Sequence, residues 1–168
     1  MNLTTQRLWV LARSAFFTLV IPGTVLYYVP HSAAAFQHPR SPAWLGLSAV
    51  PIAFGSALLL YCVFEFAWSG LGTLAIIDPP RNLVVHGPYR YVRNPMYLGV
   101  IAVLVGESVA FCSRFLPVYA FMLLVCVNLF VRFYEEPMLR RKFGESYSRY
   151  CATVPRWFPH RSKIGSRY

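Results

Sequence analysis

Two short stretches of this chain concentrate side chains able to do chemistry. The first is His86-Gly87-Pro88-Tyr89-Arg90-Tyr91-Val92-Arg93-Asn94-Pro95-Met96-Tyr97-Leu98-Gly99. Its arginines are planar donors suited to a carboxylate, and its tyrosines present ring faces that attract a cation. Gly87-Pro88 and Asn94-Pro95 punctuate it as turns. The second stretch is Tyr134-Glu135-Glu136-Pro137. Adjacent carboxylates repel each other and invite a cationic partner. Each stretch also has a plain structural reading. Tyr and Arg collect at membrane interfaces, and acids just before a Pro at the first helical position favour the helix dipole.

Other chemistry-bearing residues are scattered. Glu65 and Glu107 sit in or near apolar runs, where an ionisable group is a functional candidate. Glu65 falls toward the same side as the two stretches. Glu107 falls toward the other, where a structural role or exposure at the far surface suits it. His31, His38 and His160 take no assigned role. Cys62, Cys112, Cys126 and Cys151 form no CxxC pair and no Cys/His cluster with zinc spacing, so no metal site is expected.

The elements that must position these groups are apolar runs. Of the 168 residues, 57% are hydrophobic and 13% charged, against about 25% charged in a soluble domain. Runs cover 9–29, 43–68, 98–112 and 115–133, and about 20 residues cross a bilayer as a helix. The first run, with Arg13 near its start and Ala33-Ala34-Ala35 after it, also fits a signal peptide, although it is longer than a usual apolar region of that kind. The short third run and its tight connection to the fourth imply a helical hairpin. Beyond Pro137, Leu139, Phe143, Tyr147 and Tyr150/Cys151 recur at helical spacing. They predict an amphipathic helix over 137–152, lying on the membrane surface or packed over the ends of the spans.

The fold class expected is therefore all-α: a multi-pass membrane protein of about four transmembrane helices, with a helical hairpin near the C-terminus and a C-terminal amphipathic helix. One domain is expected over 1–168, with N-terminal spans in 1–69, a core in 70–157 and a basic tail in 158–168. The net charge of +10 reads as topology rather than nucleic-acid binding, because the basic residues flank the runs. With four spans, Arg40 and Arg114 lie on one side and the other fourteen of the 16 basic residues on the opposite side. That asymmetry predicts cytoplasmic N- and C-termini. Both chemical stretches fall on that cytoplasmic side. The 69–96 connection is longer than a simple link needs to be, which is usual for functional segments.

The two stretches resemble a known family. Gly87-Pro88-Tyr89-Arg90-Tyr91-Val92-Arg93-Asn94-Pro95-Met96-Tyr97-Leu98-Gly99, then Glu135-Glu136-Pro137, Leu139, Phe143-Gly144, Tyr147, Tyr150 and Val154-Pro155, are similar to integral-membrane methyltransferases. These include isoprenylcysteine carboxyl methyltransferases and phospholipid N-methyltransferases. The resemblance covers residues 80–157. It implies S-adenosylmethionine as cofactor, enclosed by the hairpin, the linker and the C-terminal segment. By similarity Gly87, Tyr89, Arg93, Asn94, Tyr97 and Leu98 contact the cofactor from one side, and Glu135 and Glu136 from the other. Arg93 and Glu136 are the residues expected to carry catalysis. Tyr147, Tyr150 and Arg156 are expected near the substrate. Arg-His-Pro is frequent in the family where this chain has Arg93-Asn94-Pro95, so no histidine acid–base step is available at that place.

Methyl transfer is an in-line displacement, which positioning at about 3–3.5 Å serves best. The acceptor stays open at this point. A carboxylate is already ionised at neutral pH, an amine needs a base, and a thiol is intrinsically nucleophilic. The expected partners are membrane lipids and a lipophilic or lipidated acceptor, with no nucleic acid and no metal; nothing in the sequence sets the oligomeric state. The alternatives are a nicotinamide-dependent membrane reductase of the sterol reductase type, against which stands the lack of a GxGxxG loop, and a non-enzymatic scaffold or transport protein.

Overall fold

The structure, a computed structural model, describes residue 20 and residues 23–34, 42–65 and 82–159. Most of the first apolar run, with Arg7, Arg13 and Pro22, lies outside the described residues. So do Ala35, His38, Arg40, residues 66–81 and residues 160–168 with His160.

Among the described residues every regular element is helical. A π-helical turn, Thr24–Tyr28, runs into α1 (Val29–Ala34). The long apolar helix α2 is Pro42–Glu65. A linker with one 3-10 turn, Gly87–Arg90, leads to α3 (Pro95–Ala110) and α4 (Phe115–Phe130). A second π-helical turn, Val131–Glu135, joins α4 without a break to α5 (Glu136–Phe143), and α6 is Glu145–Thr153.

Two helices are long and apolar enough to cross a membrane, Trp44–Glu65 and the continuous Phe115–Phe143. Only 22% and 17% of their most apolar windows are buried, whereas the core helix of a soluble domain is mostly covered. Val50, Phe54, Leu60, Phe121 and Met122 are among the exposed apolar side chains. These features fit an integral membrane protein. The 16 residues of α3 span about 24 Å, short of the roughly 30 Å hydrocarbon core.

Helices α2 and α3 meet backbone to backbone. A Cβ at Gly55 would stand 2.5 Å from the Gly99 carbonyl oxygen, and one at Gly106 would stand 2.5 Å from Ile52 Cγ1 and 2.9 Å from the Ser48 carbonyl oxygen. Small residues at such a crossing let dispersion contacts form where lipid removes the hydrophobic drive. Leu59, Val100, Val103, Leu104 and Ala120 form the core, with Val25 and Leu26 of the first π turn packed on it. Gly106→Leu is accordingly expected to overpack the crossing, at a cost of about 1–3 kcal/mol. Gly46→Ala, where an added Cβ meets nothing within 4 Å, is expected to leave stability unchanged or slightly higher. Thermal unfolding of both variants in detergent checks this.

The α3–α4 hairpin turns on Cys112, the one non-glycine residue with positive φ (56°) among the described residues. The buried Ser113 Oγ accepts the Phe115 and Leu116 N–H groups and so caps α4. At the other end of α3, Asn94 precedes Pro95, whose missing N–H suits the first helical position. His31 of α1 stacks on Tyr27 and meets Phe111 edge-on, which ties the N-terminal element to the far end of the hairpin.

The helix expected over 137–152 is two helices. Gly144 adopts φ 55° and breaks it, a conformation open to a residue without a Cβ. The apolar face survives the break: Leu139, Phe143, Tyr147, Tyr150 and Cys151 gather with Val154. That face is covered by Leu83 and Val85 of the linker, while Val84 points the other way, onto Cys62 and Tyr89. An extended run alternates its side chains. Residues 83–85 are therefore sandwiched between α2 and α6, and the C-terminal segment packs over the helical hairpin's end.

Candidate active site

The linker delivers Arg93 and Asn94 to the start of α3, and Tyr97 follows one turn later on the same face. The π turn delivers Glu135 and Glu136. Its extra residue per turn rotates the helix that follows, and both neighbouring carboxylates reach the same end of α3. Tyr97 Oη donates to Glu135 Oε2 at 3.3 Å, and Arg93 Nη1 donates to Glu136 Oε1 at 2.9 Å.

The third component is the strap after α6, residues 155–157. The Arg93 N–H donates to the Pro155 carbonyl at 2.9 Å, and Asn94 Nδ2 donates to the Arg156 carbonyl at 3.4 Å. The Arg156 side chain forks onto Glu136, with Nε to Oε1 at 2.7 Å and Nη2 to Oε2 at 2.9 Å. Glu136 thus accepts from two guanidinium groups. The side chains of Arg93, Glu136 and Arg156 are 12%, 9% and 28% exposed. Such shielding makes the charge-assisted bonds stronger than at an open surface. The hydrogen bonds to Glu136 raise the Arg156 pKa still further above its ordinary value. Arg93 Nη1 also donates to Cys151 Sγ at 2.9 Å, whereas Arg93 Nε is buried with no hydrogen-bond partner among the described residues.

Tyrosines back this cluster. The Tyr150 hydroxyl donates to the Tyr89 carbonyl at 2.7 Å, fixing α6 to the linker. Tyr89, Tyr147 and Tyr150 are buried. Burial first, then neighbouring acidic groups (Cys62 for Tyr89, Cys151 for Tyr147, Tyr147 for Tyr150), pushes all three phenols upward. They stay protonated at neutral pH.

Of the residues expected from sequence, Arg93, Asn94, Tyr97, Glu135, Glu136 and Arg156 come together. Tyr89, Tyr147 and Tyr150 stand behind them as packing. Gly87 is elsewhere: with φ 56° it turns the chain against α2, where a Cβ would lie 3.1 Å from Tyr61 Oη and 3.5 Å from Glu65 Oε2. Glu65 thus reaches the linker turn. Leu98 lies in the first turn of α3, its N–H donating to the Asn94 carbonyl. Glu107 remains at the far end of α3, with Oε2 buried and unpartnered among the described residues. No group of His, Cys, Asp and Glu with metal-holding geometry occurs among the described residues.

Sequence reasoning missed Cys151, Asn128 and Trp157. Cys151 reads as one more apolar residue of the α6 face. Asn128 is visible as a lone amide in an apolar run, yet its partner, the Trp157 indole at 3.0 Å, lies 29 positions away.

Residues 42–146 match the family described as phospholipid methyltransferase. The chain belongs to that family. Within this phospholipid methyltransferase-family chain the matched region holds α2 to α5 and both chemical stretches, and it ends before the strap. A rice protein (Oryza sativa subsp. indica) named "Probable protein-S-isoprenylcysteine O-methyltransferase" is 37% identical over 83 residues, 49% of this chain and 43% of that protein. "Protein-S-isoprenylcysteine O-methyltransferase A" of Arabidopsis thaliana is 38% identical over 82 residues, 47% of this chain and 40% of that protein. The match covers less than half the length of these curated relatives. No solved structure matches the chain.

Proposed function

We propose that this chain transfers a methyl group from S-adenosylmethionine to a lipophilic acceptor at the cytoplasmic membrane face. The convergence of the Arg93 stretch with the Glu135–Glu136 turn carries the reading, because the two stretches meet in a chain of a methyltransferase family.

The residues present fit the donor. When bound, S-adenosylmethionine supplies a methyl group on a sulfonium, with an amino group and a carboxylate nearby. Arg93, whose buried Nε has no hydrogen-bond partner among the described residues, would hold the carboxylate. Glu135, engaged through one oxygen by Tyr97, takes the amino group with the other. Glu136, already bonded to both arginines, positions Arg93. The Tyr97 ring lies beside this polar cluster and favours a cation at its face. Catalysis is then positioning, with Asn94 fixing the strap rather than moving a proton.

The printed names of the relatives favour a prenylated cysteine carboxylate as acceptor. A carboxylate needs no base, which suits a site whose central carboxylate is engaged by two arginines. The basic asymmetry favours cytoplasmic termini and a multi-pass chain. The family match favours methyl transfer over the reductase and scaffold alternatives.

Equilibrium binding separates these readings. Purified chain in detergent is expected to bind S-adenosylmethionine and its demethylated product, and to ignore reduced nicotinamide cofactors. Binding of the nicotinamide alone overturns the proposal.

A further inference from the structure

Trp157 is the part of the strap that the mechanism above leaves unused. Its indole Nε1 donates to Asn128 Oδ1 at 3.0 Å, and its ring centroid lies 6.4 Å from that of Tyr97. Tyr97 in turn bonds Glu135. Asn128 belongs to α4, Phe-Leu-Pro-Val-Tyr-Ala-Phe-Met-Leu-Leu-Val-Cys-Val-Asn-Leu-Phe. It precedes Glu135 by two helical turns, about 10 Å at 1.5 Å per residue. The indole therefore reaches from the polar cluster into the apolar part of the hairpin. On α4 the side chains of Val125 and Leu129 are exposed, and Phe158, the next residue of the strap, is 84% exposed.

An amide within an apolar helix is costly unless bonded, and an indole N–H at that depth has the same need. Each satisfies the other. The bond holds a broad apolar ring at the boundary between the arginine–carboxylate cluster and the outward-facing apolar surface of α4. A lipophilic acceptor has its reacting head at the cluster and its chain in the bilayer. The stretch of chain just behind the head must pass this level.

We propose that Trp157, latched to Asn128, is the wall against which the acceptor's apolar chain lies, and that it sets selectivity for that chain. This rests on the methyltransferase reading, which the test keeps separate. A purely structural strap makes another demand: loosening it disturbs Arg156 and Glu136, so donor binding and turnover of every acceptor fall together.

The test uses the full chain in phosphatidylcholine vesicles, with S-adenosylmethionine binding measured beside methyl transfer. One acceptor series is N-acetyl cysteine carrying S-geranyl, S-farnesyl or S-geranylgeranyl chains; a second is phosphatidylethanolamine of graded acyl length. Trp157→Ala is expected to leave the donor dissociation constant within about twofold. It should raise KM for the preferred acceptor about tenfold and flatten the preference among chain lengths, the scale on which apolar contacts discriminate substrates. Trp157→Phe keeps a ring without its N–H and Asn128→Leu removes the acceptor oxygen; both are expected to shift the preference by less. Should Trp157→Ala fail to fold, these two variants carry the test. Unchanged chain preference with intact donor binding, or a parallel loss of donor binding and of all acceptors, overturns the selectivity role and leaves methyl transfer standing. A wild-type chain that binds no donor, or turns over neither series, removes the methyltransferase reading and this inference with it.

Discussion

Glu136→Ala is expected to abolish methyl transfer and to lower stability more than any other single change at the site. The substitution removes three charge-assisted bonds at once, one from Arg93 and two from Arg156. Two arginines at 12% and 28% side-chain exposure are left without their shared carboxylate. Breaking a buried pair from one side costs about 3–5 kcal/mol, and the partial exposure of Arg156 places this case at the lower end. Activity should fall by at least about 100-fold, since a displacement of about 1 Å in a positioning group has that effect. Glu136→Gln keeps the shape and loses the charge, so it should fall between wild type and alanine in both measurements. Thermal unfolding in detergent and kcat/KM together check this. Wild-type values in both for Glu136→Ala would remove the ion cluster from the mechanism.

Arg93→Ala is expected to separate binding from folding. Glu136 keeps its fork from Arg156, so the chain should insert and fold with a smaller loss of about 1–3 kcal/mol. Donor affinity should drop by about 100-fold, on the scale of one or two hydrogen bonds to a charged group at 1.5–3 kcal/mol each. Arg93→Lys restores the charge without the planar fork. It should recover stability better than affinity, because a lysine has no counterpart to the buried Nε. Monodisperse elution with lost donor binding is the expected pairing. Undiminished donor affinity in Arg93→Ala would transfer the carboxylate-binding role to another residue.

Most of the helix plan was legible because period and length are local properties of sequence. Within the described residues, the runs 43–68, 98–112 and 115–133 correspond to α2, which covers the first of them up to Glu65, to α3 and to the start of the continuous α4–α5 helix. The apolar face through Leu139, Phe143, Tyr147 and Tyr150 packs as its spacing implies. The break at Gly144 was hidden because a single glycine is compatible with both a continuing and a broken helix until packing decides. The π turn Val131–Glu135 has no sequence signature of its own, yet it ends on Glu135 and leads directly into Glu136.

The cluster at the candidate site was half legible for a similar reason. Arg93, Tyr97, Glu135 and Glu136 advertise themselves as unusual types beside apolar runs. Their mutual pairing is tertiary: Arg93 and Glu136 are 43 positions apart, and Arg156 lies a further 20 beyond Glu136. The sequence leaves Glu135 and Glu136 as equal candidates for the cofactor, because nothing local to either reveals that Glu136 is bonded to two arginines. The arginine fork directs attention to Glu135. Cys151 was passed over because cysteine in an apolar face ordinarily packs as a small hydrophobe, and only the fold brings it to Arg93.

Label transfer tests the central claim most directly. The full chain, reconstituted in lipid vesicles, is incubated with S-adenosylmethionine carrying a labelled methyl group and with S-farnesyl N-acetylcysteine or phosphatidylethanolamine. The expected result is label in the organic phase, as a base-labile methyl ester on the prenylcysteine, lost in Arg93→Ala and Glu136→Ala. A folded wild-type chain that places no label on any lipophilic acceptor contradicts it.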